Sequence, residues 1–182
     1  MKIGILSDTH GGYKETMMAL EKMGDCERIF HLGDILYHGP RNDIPENYNP
    51  KELAKELAKR GNIYYIRGNC EADVDEMIMG KDLKSKERIF IANGRGIYMV
   101  HGYEETEEER IAKAKEIGCD IVISGHSHIK VLEEREGVIV INPGSTTIPK
   151  DGSKSYGIID ENFVRLYDLE KGKIVMEYQF KK

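Results

Sequence analysis

The sequence predicts an α/β fold in which two mixed β-sheets pack face to face and helices flank them. Short apolar runs alternate with amphipathic stretches as far as residue 120, which is typical of βαβ units. From residue 130 onward, short apolar runs are separated by the turns Glu136-Gly137 and Lys171-Gly172, which predicts consecutive antiparallel strands. No linker or repeat interrupts the pattern, so we expect a single domain over residues 1–182.

The first part of the chain predicts parallel strands joined by helices. Leu20 and Met23 recur at helical spacing, as do Leu53 and Leu57, and Pro50 stands in the first turn of the second helix. The predicted elements are a strand from Ile3 to Leu6, a helix from Tyr13 to Met23, a strand from Arg28 to Leu32, a helix from Pro50 to Arg60 and a strand from Ile63 to Ile66.

The rest of the chain predicts a hairpin, one more helix and a series of strands. Asn93-Gly94 is a strong two-residue turn signal between two apolar runs. The predicted elements are hairpin strands from Ile89 to Ala92 and from Ile97 to Val100, a helix from Glu105 to Ile117, and strands from Asp120 to Ser124, Lys130 to Arg135, Val138 to Asn142, Tyr156 to Asp160, Val164 to Leu169 and Ile174 to Phe180.

The composition excludes several classes of protein. The chain has 182 residues, of which 40% are hydrophobic, so it can bury a core without disulfides. Its 27 basic and 32 acidic residues give a net charge of −5, which argues against a nucleic-acid duplex as partner. No apolar stretch is long enough to predict a membrane partner. Three widely spaced cysteines indicate free thiols and a cytoplasmic location.

Residues that bind metals recur just after predicted strands. Taken singly, each is better explained as a turn, cap or strand-end residue. Together they would meet at one edge, because the carboxyl ends of strands in an open α/β sheet converge there. The two residues of each D-x-H or H-x-H pair are expected on extended backbone, where their side chains point the same way. The candidate metal ligands are Asp8, His10, Asp34, Asn69, His101, His126 and His128.

This mixture of ligands suits a pair of divalent cations that share a carboxylate. The sequence contains D-x-H, G-D, G-N, H and G-H-x-H in that order, which resembles the calcineurin-like metallophosphoesterases. Within that family the segments SDTHG, HGPRN, RGNC and NPGS resemble the small bacterial and archaeal phosphodiesterases of the YfcE type. The resemblance covers nearly the whole chain.

The resemblance implies a two-sheet sandwich and a phosphodiesterase that hydrolyses a small phosphodiester through a metal-bridging hydroxide. It implies a first metal held by Asp8, His10, Asp34 and His128, and a second held by Asp34, Asn69, His101 and His126, with Asp34 as the bridge. The resemblance favours Mn²⁺ as the cofactor, whereas the ligand types also suit Fe, Co²⁺, Ni²⁺ and Zn²⁺.

Candidate catalytic residues are Asp34, Asn69, Arg67, Arg41 and Cys70. Arg41 and Arg67 can each fork onto phosphate oxygens, although both also suit surface ion pairs. Many relatives carry a histidine at the position of Cys70, where it is thought to protonate the leaving oxygen. The thiol is a poorer proton donor at neutral pH, and Cys70 could equally be a small packing residue.

Three alternatives stay open at this point. A phosphomonoesterase would use the same site and is opposed mainly by Cys70. A non-catalytic interaction module of the same fold would have an eroded ligand set, and a nuclease would be expected to add a cap or a basic groove. For the oligomeric state, a homodimer is one option.

Overall fold

The computed structural model describes residues 1–181. Its elements are β1 (Ile3–Leu6), α1 (Tyr13–Lys22), β2 (Arg28–His31), α2 (Pro50–Ala58), β3 (Ile63–Tyr65), α3 (Asp73–Met79), β4 (Glu87–Ala92), β5 (Arg95–Val100), α4 (Glu107–Glu116), β6 (Ile121–Ile123), β7 (Lys130–Arg135), β8 (Val138–Pro143), β9 (Ser155–Ile159), β10 (Phe163–Asp168) and β11 (Ile174–Gln179). These elements form two mixed sheets flanked by helices, which confirms the predicted fold class.

Each sheet combines parallel and antiparallel strands. The first has six strands in the order β11-β10-β9-β1-β2-β3, and β1, β2 and β3 run parallel. The second has five strands in the order β4-β5-β6-β8-β7, and β5, β6 and β8 run parallel. The carboxyl ends of these parallel strands carry the loops in which the predicted metal ligands lie.

One core lies between the sheets. Ile3 and Ile5 of β1 belong to one buried cluster with Ile121 and Ile123 of β6 and Ile141 of β8. Successive side chains of a strand point to opposite faces of its sheet, so β1 also places an apolar side chain on the face that points away from the second sheet. There Leu6 belongs to the cluster that α1 and α2 cover.

Helix α4 covers the outer face of the five-stranded sheet through Ile111 and Ala114. The molecule therefore has four layers, with helices outside two packed sheets. Among residues 1–181, no helix has the length and hydropathy that crossing a bilayer would require.

Local signals explain where several elements begin. The Asn49 side chain accepts the backbone N–H of Glu52 at 3.2 Å, which caps α2 ahead of Pro50. Thr106 and Glu109 form a reciprocal capping box, so α4 begins two residues later than the sequence predicted.

The structure corrects two predictions. The sequence did not predict α3, because it is short and Met77 and Ile78 on it are exposed rather than part of a buried stripe. The predicted antiparallel block is divided between the sheets: β7 and β8 form a hairpin in the five-stranded sheet, whereas β9 to β11 form a meander on the six-stranded sheet.

Candidate metal centre

The loops after five parallel strands bring the predicted ligands together. Three of these strands belong to the six-stranded sheet and two to the five-stranded sheet, so the centre lies where the two sheets meet. Asp8 and His10 follow β1, Asp34 follows β2, Asn69 follows β3, His101 follows β5, and His126 and His128 follow β6.

Two groups of potential metal ligands lie side by side. In the first, Asp8 Oδ1 lies 3.3 Å from His128 Nε2, and the Nε2 atoms of His10 and His128 are 3.2 Å apart. The second group contains Asp34, His101 and His126. Within each group the ligand atoms lie within 4.8 Å of one another, which is the separation expected around one cation.

Asp34 connects the two groups: it belongs to the second, and with His10 and Cys70 it forms a third set of ligand atoms that lie within 4.8 Å of one another. Its Oδ2 atom is 3.7 Å from Nε2 of His10, which belongs to the first group. Its Oδ1 atom is 3.4 Å from Nε2 of His101, which belongs to the second. A carboxylate in this position can contribute one oxygen to each of two cations.

The backbone at the ligands is left-handed rather than extended, which corrects the predicted geometry of the D-x-H and H-x-H pairs. L-residues adopt positive φ at a cost of about 1 to 3 kcal/mol, and such residues cluster at functional sites. Tight left-handed turns, rather than strand alternation, bring these side chains together. The φ angles are 53° at Asp8, 43° at His10, 57° at Asp34, 65° at His126 and 60° at His128.

Three of the histidines are oriented by backbone carbonyl groups. In each, Nδ1 donates to a carbonyl oxygen, so Nε2 is the ring atom that faces the centre. This arrangement is typical of histidines that bind metals. The pairs are His10 with Tyr37 at 2.7 Å, His101 with Leu32 at 2.6 Å and His128 with Ile148 at 2.8 Å.

Two buried ligand atoms also fit a cation. Asp8 Oδ1 and His101 Nε2 have no hydrogen-bond partner among residues 1–181. Asp8 is fully buried and His101 is 1% exposed. A buried polar atom without a partner costs free energy. A cation between the two groups would give both atoms a partner.

The electrostatics of Asp34 and His101 agree with this. Burial raises the pKa of Asp34, but the neighbouring imidazole of His101 more than reverses this and holds the pKa well below its usual range. Burial lowers the pKa of His101, but Asp34 and Asp8 outweigh it and raise the pKa to about 9. The proton that His101 holds in the absence of a cation is one that a bound cation would displace.

Two glycines allow the loops to approach closely. A Cβ atom at Gly68 would lie 2.2 Å from Asp34 Oδ1, and one at Gly125 would lie 2.0 Å from Ser7 Oγ. Any side chain at either position would displace a metal-binding loop.

A polar cavity of about 240 Å³ opens over the centre. Arg41 and Lys150 are the cationic side chains on its wall, and both are exposed. The sequence did not single out Lys150, whose backbone N–H donates to the His128 carbonyl at 3.0 Å. The lining residues are His10, Asp34, Gly39, Pro40, Arg41, Asn42, Asn69, Cys70, His126, Ser127, His128 and Lys150.

Comparison with known proteins agrees with this geometry. A model of the calcineurin-like phosphoesterase superfamily domain matches residues 1–162. The chain belongs to this superfamily. The phosphodiesterase YfcE from Escherichia coli is 31% identical over 181 residues, which cover 97% of each chain. These matches confirm the resemblance inferred from the motifs.

Solved structures extend the comparison. The structure of YfcE from E. coli covers the whole of both chains with a TM-score of 0.90 at 28% identity. A phosphodiesterase from Methanocaldococcus jannaschii is 30% identical over 162 residues, which are 88% of this chain and 93% of that one. Zinc-bound Vps29 from Entamoeba histolytica covers both chains with a TM-score of 0.70, and at 18% identity this likeness shows the fold alone.

The phosphoesterase centre is supported by a buried glutamate that the sequence did not single out. Glu71 accepts the backbone N–H groups of Asp34 at 3.2 Å, Ile35 at 2.7 Å and Gly68 at 2.5 Å. Burial, reinforced by the charge of Asp34, raises the pKa of Glu71 to about 7. Its place two residues after Asn69 was the available signal, but its three backbone partners become visible only in the fold.

The NPGS segment joins two ligand loops. Asn142 Nδ2 donates to the Gly125 carbonyl at 2.7 Å and so holds the turn before His126. Ser145 Oγ donates to the Asp8 carbonyl at 2.6 Å. This explains why these polar residues are buried at the end of a strand.

Arg67 lies elsewhere than the sequence suggested. Its guanidinium donates to the backbone carbonyls of Leu83 at 3.2 Å and Glu71 at 3.0 Å, and Arg67 is not part of the lining of the polar cavity. These hydrogen bonds hold the loop around Glu71, and the guanidinium does not face the polar cavity in which a phosphate would bind. Arg41, in contrast, is part of that lining, and its role as a phosphate ligand stays a prediction.

Cys70 lies at the cavity wall beside Asn69. The amide nitrogen of Asn69 is 3.4 Å from Cys70 Sγ, which leaves the amide oxygen as the atom available to a cation. Burial raises the pKa of Cys70 to about 12, and the nearby Asp34 adds to this effect. The thiol is therefore a weak acid that stays protonated at neutral pH.

Proposed function

We propose that this phosphoesterase hydrolyses small phosphodiesters with the aid of two divalent cations. The observation that carries the proposal is the position of Asp34 between two groups of ligand atoms. The proposed first set is Asp8, His10, Asp34 and His128, and the proposed second set is Asp34, Asn69, His101 and His126.

When bound, the cations would supply positive charge to the phosphoryl oxygens and would lower the pKa of a bound water molecule. The protein's own part is to position the reacting groups. Arg41 and Lys150 lie on the cavity wall and are exposed, so we assign to them the binding of non-bridging phosphate oxygens. Glu71 and Ser145 hold the loops of Asp34 and Asp8.

Two observations favour a diester over a monoester. YfcE and the M. jannaschii relative are named phosphodiesterases. The residue after Asn69 is Cys70, and a thiol is a poorer proton donor at neutral pH than the histidine that many relatives carry there. Without an effective acid, the enzyme depends on a leaving group that departs readily.

Mn²⁺ is the proposed metal, on the basis of the family resemblance. Carboxylate, imidazole and amide donors also suit Fe, Co²⁺, Ni²⁺ and Zn²⁺. Elemental analysis of the protein purified without added metal would identify the ion, and zinc alone in fully active protein would contradict the assignment to manganese.

We also propose that the reaction takes place in the cytoplasm. Cys26 and Cys119 are buried as free thiols, which is typical of a reducing compartment. Fractionation of the native cells would test this, and recovery from the medium or periplasm would contradict it.

The activity is tested by stripping the protein with a chelator, restoring one metal at a time and assaying matched phosphodiesters and phosphomonoesters. We expect no turnover by the stripped protein and recovery with Mn²⁺, with diesters preferred. Turnover that survives chelation, or a preference for monoesters, would contradict the proposal. An Asp8→Asn variant serves as a control for contaminating phosphatases.

A further inference from the structure

A second cavity, of about 450 Å³, lies beside the polar one. It is bounded by the loop after β2, the first turns of α2 and helix α3. Its walls are mainly apolar, unlike those of the cavity over the metal centre. We call it the arm cavity, and the lining residues that matter here are Leu36, Tyr37, Tyr48, Ala54, Cys70 and Ile78.

The two cavities share a wall at Cys70. The backbone N–H of Cys70 donates to Asp34 Oδ1 at 2.9 Å, so this residue stands next to the carboxylate between the two ligand groups. A group attached to a phosphate at the metal centre therefore needs only to pass Cys70 to enter the arm cavity.

One wall of the arm cavity is aromatic and is anchored to the metal loops. The His38 ring packs between Tyr37 and Tyr48, with ring centroids 4.8 Å and 5.3 Å away. The Tyr37 carbonyl accepts Nδ1–H of His10, and the Tyr48 ring lies so close to Gly11 that a Cβ there would be 2.4 Å from it. These contacts fix the position of the aromatic wall relative to the first ligand group.

The charged residues of the lining do little to make the cavity polar. The Asp75 carboxylate already accepts the Ala72 backbone N–H at 2.8 Å, where it caps α3. Lys51 is exposed, at the start of α2. The remaining surface is suited to a flat apolar group. The aromatic and aliphatic side chains of the lining can contact both faces of such a group.

We propose that the arm cavity binds an aromatic ester group of the substrate, so that the preferred substrates are phosphodiesters with an aryl or heteroaryl arm. This rests on the proposed function, since the phosphate must lie at the metal centre for its arm to reach past Cys70. A volume of about 450 Å³ leaves room for a ring with substituents. A dialkyl phosphate with short arms would leave the cavity unused.

The test uses ligands that are not hydrolysed and have one arm only. Methylphosphonate and benzylphosphonate offer the same anionic group, but only the second has a ring. Binding to the Mn²⁺-loaded protein is measured by calorimetry, which does not depend on turnover. We expect benzylphosphonate to bind at least about tenfold more tightly, because burial of the ring adds hydrophobic free energy.

A matched pair of variants locates the effect. Ile78 lines the arm cavity and is 60% exposed, so Ile78→Asp places a charge in the wall at little risk to folding. Met77 is 76% exposed on the same helix and is not part of the lining. We expect Ile78→Asp to reduce the preference for benzylphosphonate to about twofold or less, and Met77→Asp to retain the wild-type preference.

The outcomes separate this proposal from the one on which it rests. Equal affinities for the two phosphonates in the wild type, or an equal loss of preference in both variants, would overturn the arm cavity as a substrate site and leave the phosphodiesterase proposal standing. Failure of both phosphonates to bind the loaded protein would overturn the two proposals together.

Discussion

Asp34 Oδ1 lies 3.4 Å from Nε2 of His101, and this contact joins the two sheets. Asp34 follows a strand of the six-stranded sheet, and His101 follows a strand of the five-stranded sheet. On the opposite side of the imidazole, Nδ1 donates to the Leu32 carbonyl at 2.6 Å, which fixes the orientation of the ring. The candidate centre therefore depends on the packing of one sheet against the other.

Replacement of Asp34 by asparagine should abolish turnover while the protein stays folded. The amide keeps the shape of the carboxylate but loses the charge shared between the two ligand groups, so we expect kcat to fall at least about 10²-fold. Activity and thermal unfolding should be measured together. Asp43→Asn, on the exposed loop after β2, is the matched control. An unfolded Asp34→Asn protein with wild-type activity per folded molecule would show that the residue is structural.

The protein should bind two equivalents of divalent metal per chain. Seven ligand residues with one shared carboxylate exceed what a single cation requires. Titration of the chelator-treated protein by calorimetry should saturate at two equivalents. In His126→Ala, one of the two binding steps should be lost. Saturation of the wild type at one equivalent would contradict the prediction.

Cys70 should make the rate sensitive to the leaving group. A thiol is a poorer general acid at neutral pH than an imidazole, and general-acid catalysis typically contributes about 10² to 10⁴-fold. Rates should therefore fall steeply as the leaving-group pKa rises.

Cys70→His should flatten this dependence, provided that the ring fits beside Asn69. The measurement is log kcat/KM against leaving-group pKa for both proteins at saturating metal, with equal metal content confirmed. Equal slopes would mean that position 70 does not act as an acid site.

Gly68→Ala should disrupt the centre sterically. The new Cβ would lie 2.2 Å from Asp34 Oδ1, so we expect metal affinity to fall at least about tenfold. Gly61→Ala is the control, because a Cβ there meets no atom of residues 1–181 within 4 Å. Metal titration of both variants checks this, and wild-type affinity in Gly68→Ala would show that the loop can move without loss of binding.

The buried His31 should make folding sensitive to acid. Burial lowers its pKa to about 3, while Nδ1 accepts the Gly33 N–H at 3.2 Å and Nε2 contacts Thr9 Oγ1 at 2.9 Å. The unfolded chain takes up the proton near pH 6.5, so the stability that neutral His31 contributes is lost as pH falls below that value. The loss is about 1.4 kcal/mol per pH unit, or about 2 kcal/mol at pH 5.

Urea unfolding of chelator-treated protein at pH 7 and pH 5 measures this loss. His31→Gln lacks the titrating ring and should lose about 2 kcal/mol less than the wild type between the two pH values. Parallel losses in the two proteins would show that other groups cause the acid sensitivity.

Local patterns determined most of the elements and the order of the ligands. The periodicity around Leu53 and Leu57 and the Asn93-Gly94 turn depend on residues close in sequence, and both predictions are confirmed. The candidate ligands could be recognised because each of them stands just after a strand, which is also a local feature.

Only the tertiary structure decided which strands share a sheet, how the ligand backbone turns and what surrounds the centre. Pairing of β8 with β6 and of β9 with β1 depends on which buried faces meet, and a strand's own sequence is compatible with several partners. The left-handed turns at Asp8 and His128, the three backbone bonds of Glu71 and the arm cavity arise from loops far apart in the chain. Local sequence preferences do not favour these strained conformations. They are adopted because the packing of the two sheets offsets the free energy that the strain costs.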